Sequence, residues 1–295
     1  MKGLHFRTIA FWGSALLIVI PLLTVQPVGA QALDGTLKTV KASSTLNLGY
    51  LEATPPFSYL GPDKKPTGYS IELCTRIAGA IQKELNVNLK LNWVAVTPEN
   101  RFTMVETGKV DIECGTTTAS LSRMEKVDFS LMTYVDGATL LTLANSPLRS
   151  LSDLSGKKIA VIPGTTTEKA LTKFLKEQFV TNVTMVPVKD HVEGRAALEK
   201  ATVEAFASDQ AILIALALTS GSPAKFALAD GLFSYEPYAF TIRRNDPAFR
   251  LSVNRALAAL YRTGDVFPIY DRWFGALGKV GDAMEAMYMI NGLPE

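Results

Sequence analysis

Two consecutive stretches of the chain show the same order of sequence patterns, in which strands alternate with amphipathic helices. In the first stretch, alternating apolar residues predict strands and a helical spacing of apolar residues predicts helices, at 46–50, 70–85, 89–93, 98–107 and 110–114. The second stretch repeats the order at 158–162, 166–179, 183–188, 193–200 and 203–207, followed by an apolar helix after Asp209. This order is typical of mostly parallel sheets covered by helices. We therefore predict an α/β protein with two lobes.

The boundaries of these lobes follow from two segments that are expected to cross between them, 134–143 and 238–243. After the second crossing, Asp246-Pro247 is a typical helix start, and the helix that follows is expected to return to the first lobe. We predict that lobe 1 comprises residues 31–138 and 243–295, and that lobe 2 comprises residues 139–242.

The N-terminus predicts export. Lys2 and Arg7 precede an uncharged, mostly apolar segment at 9–20, and small residues allow cleavage after Ala30 or Ala32. We interpret residues 1–30 as a signal peptide and expect a periplasmic protein. An uncleaved membrane anchor is the alternative, which Pro21 makes less favourable.

The charge of the exported chain is balanced. Without Lys2 and Arg7, the 30 basic residues become 28 and equal the 28 acidic residues. This balance gives no electrostatic reason to expect nucleic acid or an anionic membrane surface as a partner.

Cys74 and Cys114 are the two cysteines of the chain. Export would permit a disulfide, but the sequence does not give the distance that a bridge requires. We slightly favour two buried, unpaired thiols. No Cys/His cluster has metal-ligand spacing, and we expect no cofactor and no metal.

The segment 113–130 has the composition of an anion-binding site. Gly115, Thr116 and Thr118 offer backbone N–H groups and hydroxyls at a strand end, and Arg123 adds a planar guanidinium that can pair with a carboxylate through two hydrogen bonds. The Ser122–Glu125 spacing resembles a capping box and predicts that Arg123 lies in the first turn of a helix. The alternative is an ordinary connection with a surface arginine.

The second stretch contains a similar helix start and a carboxylate. Thr165-Thr166-Thr167-Glu168 predicts a capped helix N-terminus, which favours negative charge. Asp209 follows a strand and could accept hydrogen bonds from an ammonium group, or cap the next helix, or do both.

Nine short motifs occur in the order found in one protein family. With them the chain resembles the periplasmic polar amino-acid-binding proteins of ABC importers, solute-binding protein family 3, and within that family the glutamate/aspartate-binding branch. The motifs are Pro56-Phe57-Ser58-Tyr59, Gly68-Tyr69-Ser70, Asn100-Arg101, Glu113-Cys114-Gly115-Thr116-Thr117, Asp128-Phe129-Ser130, Gly164-Thr165-Thr166, Lys189-Asp190-His191, Ala205-Phe206-Ala207-Ser208-Asp209 and Arg272-Trp273-Phe274.

This resemblance implies a type II periplasmic-binding-protein fold, with two mixed or parallel sheets joined by a two-strand hinge. It also implies a monomer that is not an enzyme and that delivers an amino acid to the permease subunits of an ABC transporter. The resemblance assigns the ligand α-carboxylate to Arg123, Gly115, Thr116 and Thr118 from lobe 1 and to Thr165 and Thr166 from lobe 2.

The remaining assignments concern the α-ammonium group and the ligand side chain. The resemblance implies that Asp209 binds the ammonium group, that Arg101 and His191 face the side chain, and that Phe57 packs on the ligand. A core phenylalanine is the alternative for Phe57. If His191 must be protonated to meet an acidic side chain, affinity should fall as the pH rises through the histidine range.

Two positions depart from the glutamate/aspartate branch, which usually has arginine at Leu51 and serine at Pro98. Both are side-chain contacts in the pocket that the sequence resembles. The departures put specificity for glutamate and aspartate in doubt and leave open a glutamine-like, amide-bearing or otherwise modified ligand.

Two other functions are weighed against amino-acid transport. The first is an enzyme, since relatives with this fold include a dehydratase acting on cyclohexadienyl acids such as arogenate; Glu52 or Glu193 would then be candidate general acids. The second is a sensory ligand-binding module, which would normally need a downstream signalling segment that we do not expect here.

Overall fold

The alternating pattern of strands and helices folds into two five-stranded sheets in the computed structural model, which describes residues 33–295. The predicted signal peptide at 1–30 lies outside the described residues. The strands are β1 Thr45–Tyr50, β2 Ala53–Thr54, β3 Ser58–Leu60, β4 Pro66–Thr67, β5 Lys90–Ala95, β6 Ile112–Glu113, β7 Asp128–Asp136, β8 Ala138–Leu143, β9 Lys158–Val161, β10 Thr184–Pro187, β11 Ala205–Asp209, β12 Phe226–Leu228 and β13 Glu236–Ile242.

Helices cover both sheets, and the periodicity of the sequence predicts most of them. They are α1 Gly35–Ser43, α2 Tyr69–Leu85, α3 Arg101–Glu106, α4 Leu121–Met124, α5 Thr166–Glu177, α6 His191–Glu199, α7 Gln210–Leu218, α8 Pro247–Thr263, α9 Val266–Phe274 and α10 Asp282–Asn291, with short 3-10 turns at Leu151–Leu154, Pro223–Lys225 and Gly275–Leu277. Within residues 33–295, none of these helices combines the length and the apolar character that crossing a bilayer requires.

The two sheets have the same arrangement of parallel and antiparallel strands. The first has the strand order β5-β1-β6-β13-β7 and the second the order β10-β9-β11-β8-β12. In each sheet the first three strands are parallel and the last two pair antiparallel. The sheets are therefore mixed, and the predicted two-lobed type II fold is confirmed.

Two connections join the sheets. The chain leaves the first sheet at Asp136 and enters the second at Ala138, so that Gly137 alone separates β7 from β8. A Cβ atom at Gly137 would lie 2.8 Å from the Ser234 carbonyl oxygen, which explains why the crossing uses glycine. The chain returns from the second sheet to the first between β12 and β13.

At this return to the first sheet, the structure differs from the sequence-based assignment of residues 236–242 to lobe 2. The strand β13 pairs with β6 and β7, so these residues belong to the first sheet. The difference arises because the alternation of apolar residues identifies a strand but not its pairing partner. The lobe boundaries at 138 and 243 stay a prediction about which residues move together.

A disulfide joins Cys74 of α2 to Cys114, with Cα atoms 6.2 Å apart, within the range such bridges require. The slight preference for unpaired thiols was therefore wrong. Cys74 lies on the buried face of α2 with Leu73, Ile77 and Ile81, and this face packs against the first sheet. The bridge ties α2 to the strand end that begins the predicted anion-binding segment.

The short helix α4 also differs from its prediction. Its N-cap is Ser120, whose hydroxyl accepts a hydrogen bond from the Arg123 N–H at 3.4 Å. The capping box expected at Ser122 and Glu125 was wrong, since the helix starts at Leu121. Arg123 nevertheless lies in this first turn, as predicted.

Candidate functional site

A narrow cavity of about 40 Å³ lies between the two sheets and is lined by both lobes. Its walls include residues that follow the carboxyl ends of β6 and β9 and the end of β11, the edge where ligands bind in open α/β sheets. The lining residues are Leu51, Pro98, Arg101, Thr116, Thr118, Arg123, Ile162, Thr165, Thr166, Thr167, His191, Ala207, Ser208, Asp209 and Ile212. Eight of the ten predicted site residues are among them.

Gly115 and Phe57 are the two predicted residues outside this lining. The Gly115 carbonyl accepts a hydrogen bond from the Ser70 hydroxyl at 2.9 Å, and a Cβ atom here would lie 2.0 Å from Oε1 of the buried Glu113. Gly115 thus allows the chain to pass Glu113. The Phe57 ring is fully buried and packs at 4.9 Å from the ring of Tyr134, a position that fits the core alternative.

Arg123 points its guanidinium toward the cavity from α4. Its Nη1 donates to the Thr118 carbonyl at 2.8 Å, and its Cζ lies 5.4 Å from the centre of the Phe102 ring. Burial and the neighbouring Arg101 lower the pKa of Arg123 to about 10, so the group remains a cation at neutral pH.

Arg101, the first residue of α3, is 5% exposed, and its Nε has no hydrogen-bond partner among residues 33–295. Burial lowers its pKa, opposed by Glu113 and Asp209. Its Cζ lies 5.1 Å from the centre of the same Phe102 ring. Phe102 therefore supports both arginines by cation–π contact, a role that the sequence analysis missed.

Asp209 ends β11 and turns its carboxylate into the cleft instead of capping α7. Its Oδ1 accepts from the Thr167 hydroxyl at 2.9 Å, and its Oδ2 accepts from the Tyr238 hydroxyl. The side chain makes no cap hydrogen bond. Near the start of α7, Oδ2 of Asp136 instead accepts a hydrogen bond from the Ala211 N–H at 3.1 Å. Burial first, and then the charge of Glu236, raise the pKa of Asp209.

Asp136 and Glu236 are acidic residues of the site that the sequence analysis missed. Oε2 of Glu236 accepts from the Thr166 hydroxyl at 2.7 Å and also from the Thr118 hydroxyl, while Oε1 accepts from Ser234 at 2.6 Å. Glu236 therefore contacts hydroxyls of both lobes. Burial and the nearby Asp209 raise the pKa of Asp136. The positions of both acids at crossing strands could have drawn attention to them.

His191 begins α6 and faces lobe 1, where its Nδ1 lies 3.2 Å from the Thr54 hydroxyl. Burial of the ring lowers the pKa of His191 to about 4. The ring is therefore neutral at neutral pH, which argues against the expected pH dependence from a protonated histidine between about pH 5 and pH 8.

Opposite charges in this site form no direct ion pairs within residues 33–295. None of the ion pairs within residues 33–295 includes Arg101, Arg123, Asp209 or Glu236. Buried charges without an ion partner are costly, and a zwitterion would supply the missing partners. The site therefore has separate cationic and anionic positions suited to a carboxylate and an ammonium group.

A two-lobed α/β fold with a charged cavity between the lobes defines a substrate-binding protein of type II. The chain belongs to the bacterial extracellular solute-binding proteins, family 3, whose sequence profile matches residues 46–276.

Individual relatives agree with this family. The chain is 36% identical over 258 residues to an L-glutamate/L-aspartate-binding protein of Pseudomonas aeruginosa, covering 87% of this chain and 85% of that protein. It is 31% identical to a glutamate/aspartate import solute-binding protein of Salmonella typhimurium, over 83% and 82% of the two chains.

A solved structure is similar in fold and sequence. It is that of an ancestral amino acid-binding protein, a precursor of cyclohexadienyl dehydratase, with a TM-score of 0.70 and 28% identity. The match covers 81% of this chain and all of the ancestral one.

Proposed function

We propose that this protein binds one free α-amino acid with a polar side chain in the cleft between its lobes and delivers it to the permease of an ABC transporter. Export by the predicted signal peptide at 1–30 would place this function in the periplasm. The protein would act as a monomer, without a cofactor. The observation that carries the proposal is a pair of opposite charges that line one cavity without a direct ion pair within residues 33–295, Arg123 from lobe 1 and Asp209 from lobe 2.

Each group has a defined role. Arg123 binds the α-carboxylate through its guanidinium, with donors from Thr116, Thr118, Thr165 and Thr166. Asp209 accepts hydrogen bonds from the α-ammonium group, held in place by the hydroxyl of Thr167. Arg101 and the neutral ring of His191 meet the polar end of the ligand side chain.

Binding without chemistry is favoured over the dehydratase alternative by the positions of the two candidate general acids. Glu52 is exposed and lines an adjoining outer cavity, but not the narrow cavity that Arg123 and Asp209 line. Oε2 of Glu193 accepts the Lys189 N–H at 2.7 Å on an exposed turn. The named relatives are binding proteins, although one structural neighbour is a precursor of a dehydratase.

A thermal-shift panel of amino acids on refolded, ligand-free protein tests the proposal. A ligand at about 1000 times its dissociation constant should stabilise the protein by about 4 kcal/mol. For a chain of this size this corresponds to an increase in melting temperature of about 8–16 °C. The complete panel includes acidic and amide side chains and small peptides, and the absence of any shift would contradict amino-acid binding. Turnover of prephenate or arogenate, measured in parallel, would support the enzyme instead.

A further inference from the structure

The narrow cavity opens into a larger one. This outer cavity, of about 290 Å³, shares Leu51, Pro98, Ile162 and His191 with the narrow inner cavity of about 40 Å³. Both lobes contribute to its walls, with Val96 and Thr54 on one side and Lys189 and Asp190 on the other. The groups that bind the two ends of the amino-acid backbone therefore lie deep in the cleft, and free space continues beyond the side-chain end.

Leu51 and Pro98 make this continuation apolar. Together with Val96 and Ile162 they line the outer cavity with hydrocarbon, and Leu51 and Val96 are 5% and 3% exposed. Because Leu51, Val96 and Ile162 are already almost fully buried, the gain would come from the alkyl chain of a ligand, which leaves water on entering the cavity. Burying an alkyl chain against this surface is favourable, by about a factor of four in affinity for each methylene group.

The rim of the outer cavity is acidic. Glu52 and Glu99 are exposed, and their side chains take part in none of the hydrogen bonds or ion pairs found within residues 33–295. Asp190 caps α6 and lies 4.0 Å from Nζ of Lys189, so this pair contributes little net charge. Two carboxylates therefore remain available to a cation in the outer cavity.

We propose that the ligand is a γ-glutamyl amine, an N-substituted glutamine whose alkyl tail ends in an ammonium group. The inference deepens the proposed function and rests on it. From the inner end outward, the site offers Arg123 and Asp209 for the zwitterion, then the side chain of Arg101, which lines the inner cavity, for a carbonyl oxygen, then hydrocarbon, and finally carboxylates. A γ-glutamyl amine presents the complementary groups in the same order.

Simpler amino acids match this order less well. Glutamate would pair its side-chain carboxylate with Arg101, but both glutamate and glutamine would leave the outer cavity unfilled. Free arginine has a cationic side-chain end, but its side chain has no carbonyl group. Its guanidinium would also approach the guanidinium of Arg101, and the two like charges would repel each other.

Calorimetric titration of the full mature chain with L-glutamate, L-glutamine, γ-glutamylethylamide, the γ-glutamyl amide of diaminobutane and L-arginine tests the proposal. We expect the diaminobutane amide to bind at least about tenfold more tightly than glutamine, and the ethylamide to lie between them. Substitution A53F narrows the outer cavity without changing a residue of the inner one, and should abolish most of this preference while leaving glutamine affinity within about twofold. A283F, on an exposed face of α10, is the matched control.

Removing the two negative charges of the rim tests its role in binding. The double variant E52Q/E99Q should weaken the diaminobutane amide by up to about fivefold per carboxylate and leave the uncharged ethylamide unchanged. E106Q, on the exposed face of α3, is its control.

The outcomes separate the two proposals. If glutamine, glutamate or arginine binds as tightly as the diaminobutane amide, or A53F leaves the ratio to glutamine unchanged, the inference is overturned and amino-acid binding stands. If none of these ligands binds and the complete amino-acid panel gives no thermal shift, the proposed function fails with it.

Discussion

The hydroxyls of Thr118 and Thr166 approach to 3.1 Å across the cleft, one from each lobe. Both donate to the same carboxylate oxygen, Oε2 of Glu236. Glu236 begins β13, at the point where the chain returns to the first sheet. The hydrogen bond from Thr166 crosses from the second sheet to the first, so we expect this carboxylate to stabilise a closed arrangement of the site.

Replacing Glu236 with glutamine should weaken ligand binding through closure. A hydrogen bond to a charged group contributes about 1.5–3 kcal/mol, and loss of the charge should reduce affinity by about tenfold or more. Small-angle scattering with saturating ligand should show a larger share of open molecules. The exposed substitution E285Q is the control, and equal affinity and scattering for E236Q would remove Glu236 from the closure mechanism.

The sequence predicts the order of strands and helices because burial imposes a period on local residues. It also identifies eight lining residues, which lie in short motifs at strand ends or helix starts. Asp136, Glu236 and Tyr238 were missed because pairing between distant segments brings them to the site. Glu236 meets Thr118 across 118 residues of sequence and Thr166 across 70. The disulfide was missed for the same reason, since the Cα separation of Cys74 and Cys114 is a property of the fold.

Substitutions at the two charged ligand contacts should reduce affinity without unfolding the protein. Arg123→Ala and Asp209→Ala should each cost about 2–5 kcal/mol of binding free energy, or about 30- to 4000-fold, because the opposite ligand charge is left buried and unpaired. Calorimetry measures the loss and thermal melting checks the fold. Lys126→Ala, on the exposed surface near α4, is the control. Wild-type affinity in either variant would exclude that residue as a contact.

The Leu51→Arg variant should shift selectivity toward acidic side chains. It adds a second guanidinium to a wall shared by both cavities, and a paired guanidinium recognises a carboxylate better than an amide. We expect the ratio of glutamate to glutamine affinity to rise by about tenfold or more. Leu51→Met, which keeps the wall apolar, should leave the ratio unchanged. Calorimetry with both ligands measures this ratio. An unchanged ratio in Leu51→Arg would show that other residues recognise the ligand side chain.

The disulfide should stabilise the protein by restricting the unfolded chain. For cysteines separated by 40 residues, the chain-entropy relation gives about 4 kcal/mol, and native bridges typically contribute about 2–4 kcal/mol. The double variant C74A/C114A should therefore melt about 4–16 °C lower. A reductant should lower the melting temperature of the wild type toward that of the variant and leave the variant unchanged. Equal melting temperatures of the two proteins would contradict a structural role for the bridge.

Ligand binding should depend on pH through Asp209. The pKa of this carboxyl is raised in the folded protein, chiefly by burial. Folding therefore favours its protonated form, and the associated stability is present below the unfolded pKa and is lost as the pH rises through the folded pKa. The ligand ammonium group requires the ionised form, so affinity should decrease as the pH falls from about 8 to about 5.

Calorimetry in buffers of different ionisation enthalpy measures the protons released when an amino acid binds at the lower pH. We expect net release, because the ammonium group stabilises the ionised carboxylate of Asp209. The variant Asp209→Asn should bind more weakly and release fewer protons. His191, with its pKa lowered to about 4, should contribute little to this release, so His191→Gln should keep the pH profile of the wild type. A wild-type profile in Asp209→Asn would show that another group titrates with binding. The half-buried Asp136, next to Gly137 at the crossing, would be the next to test.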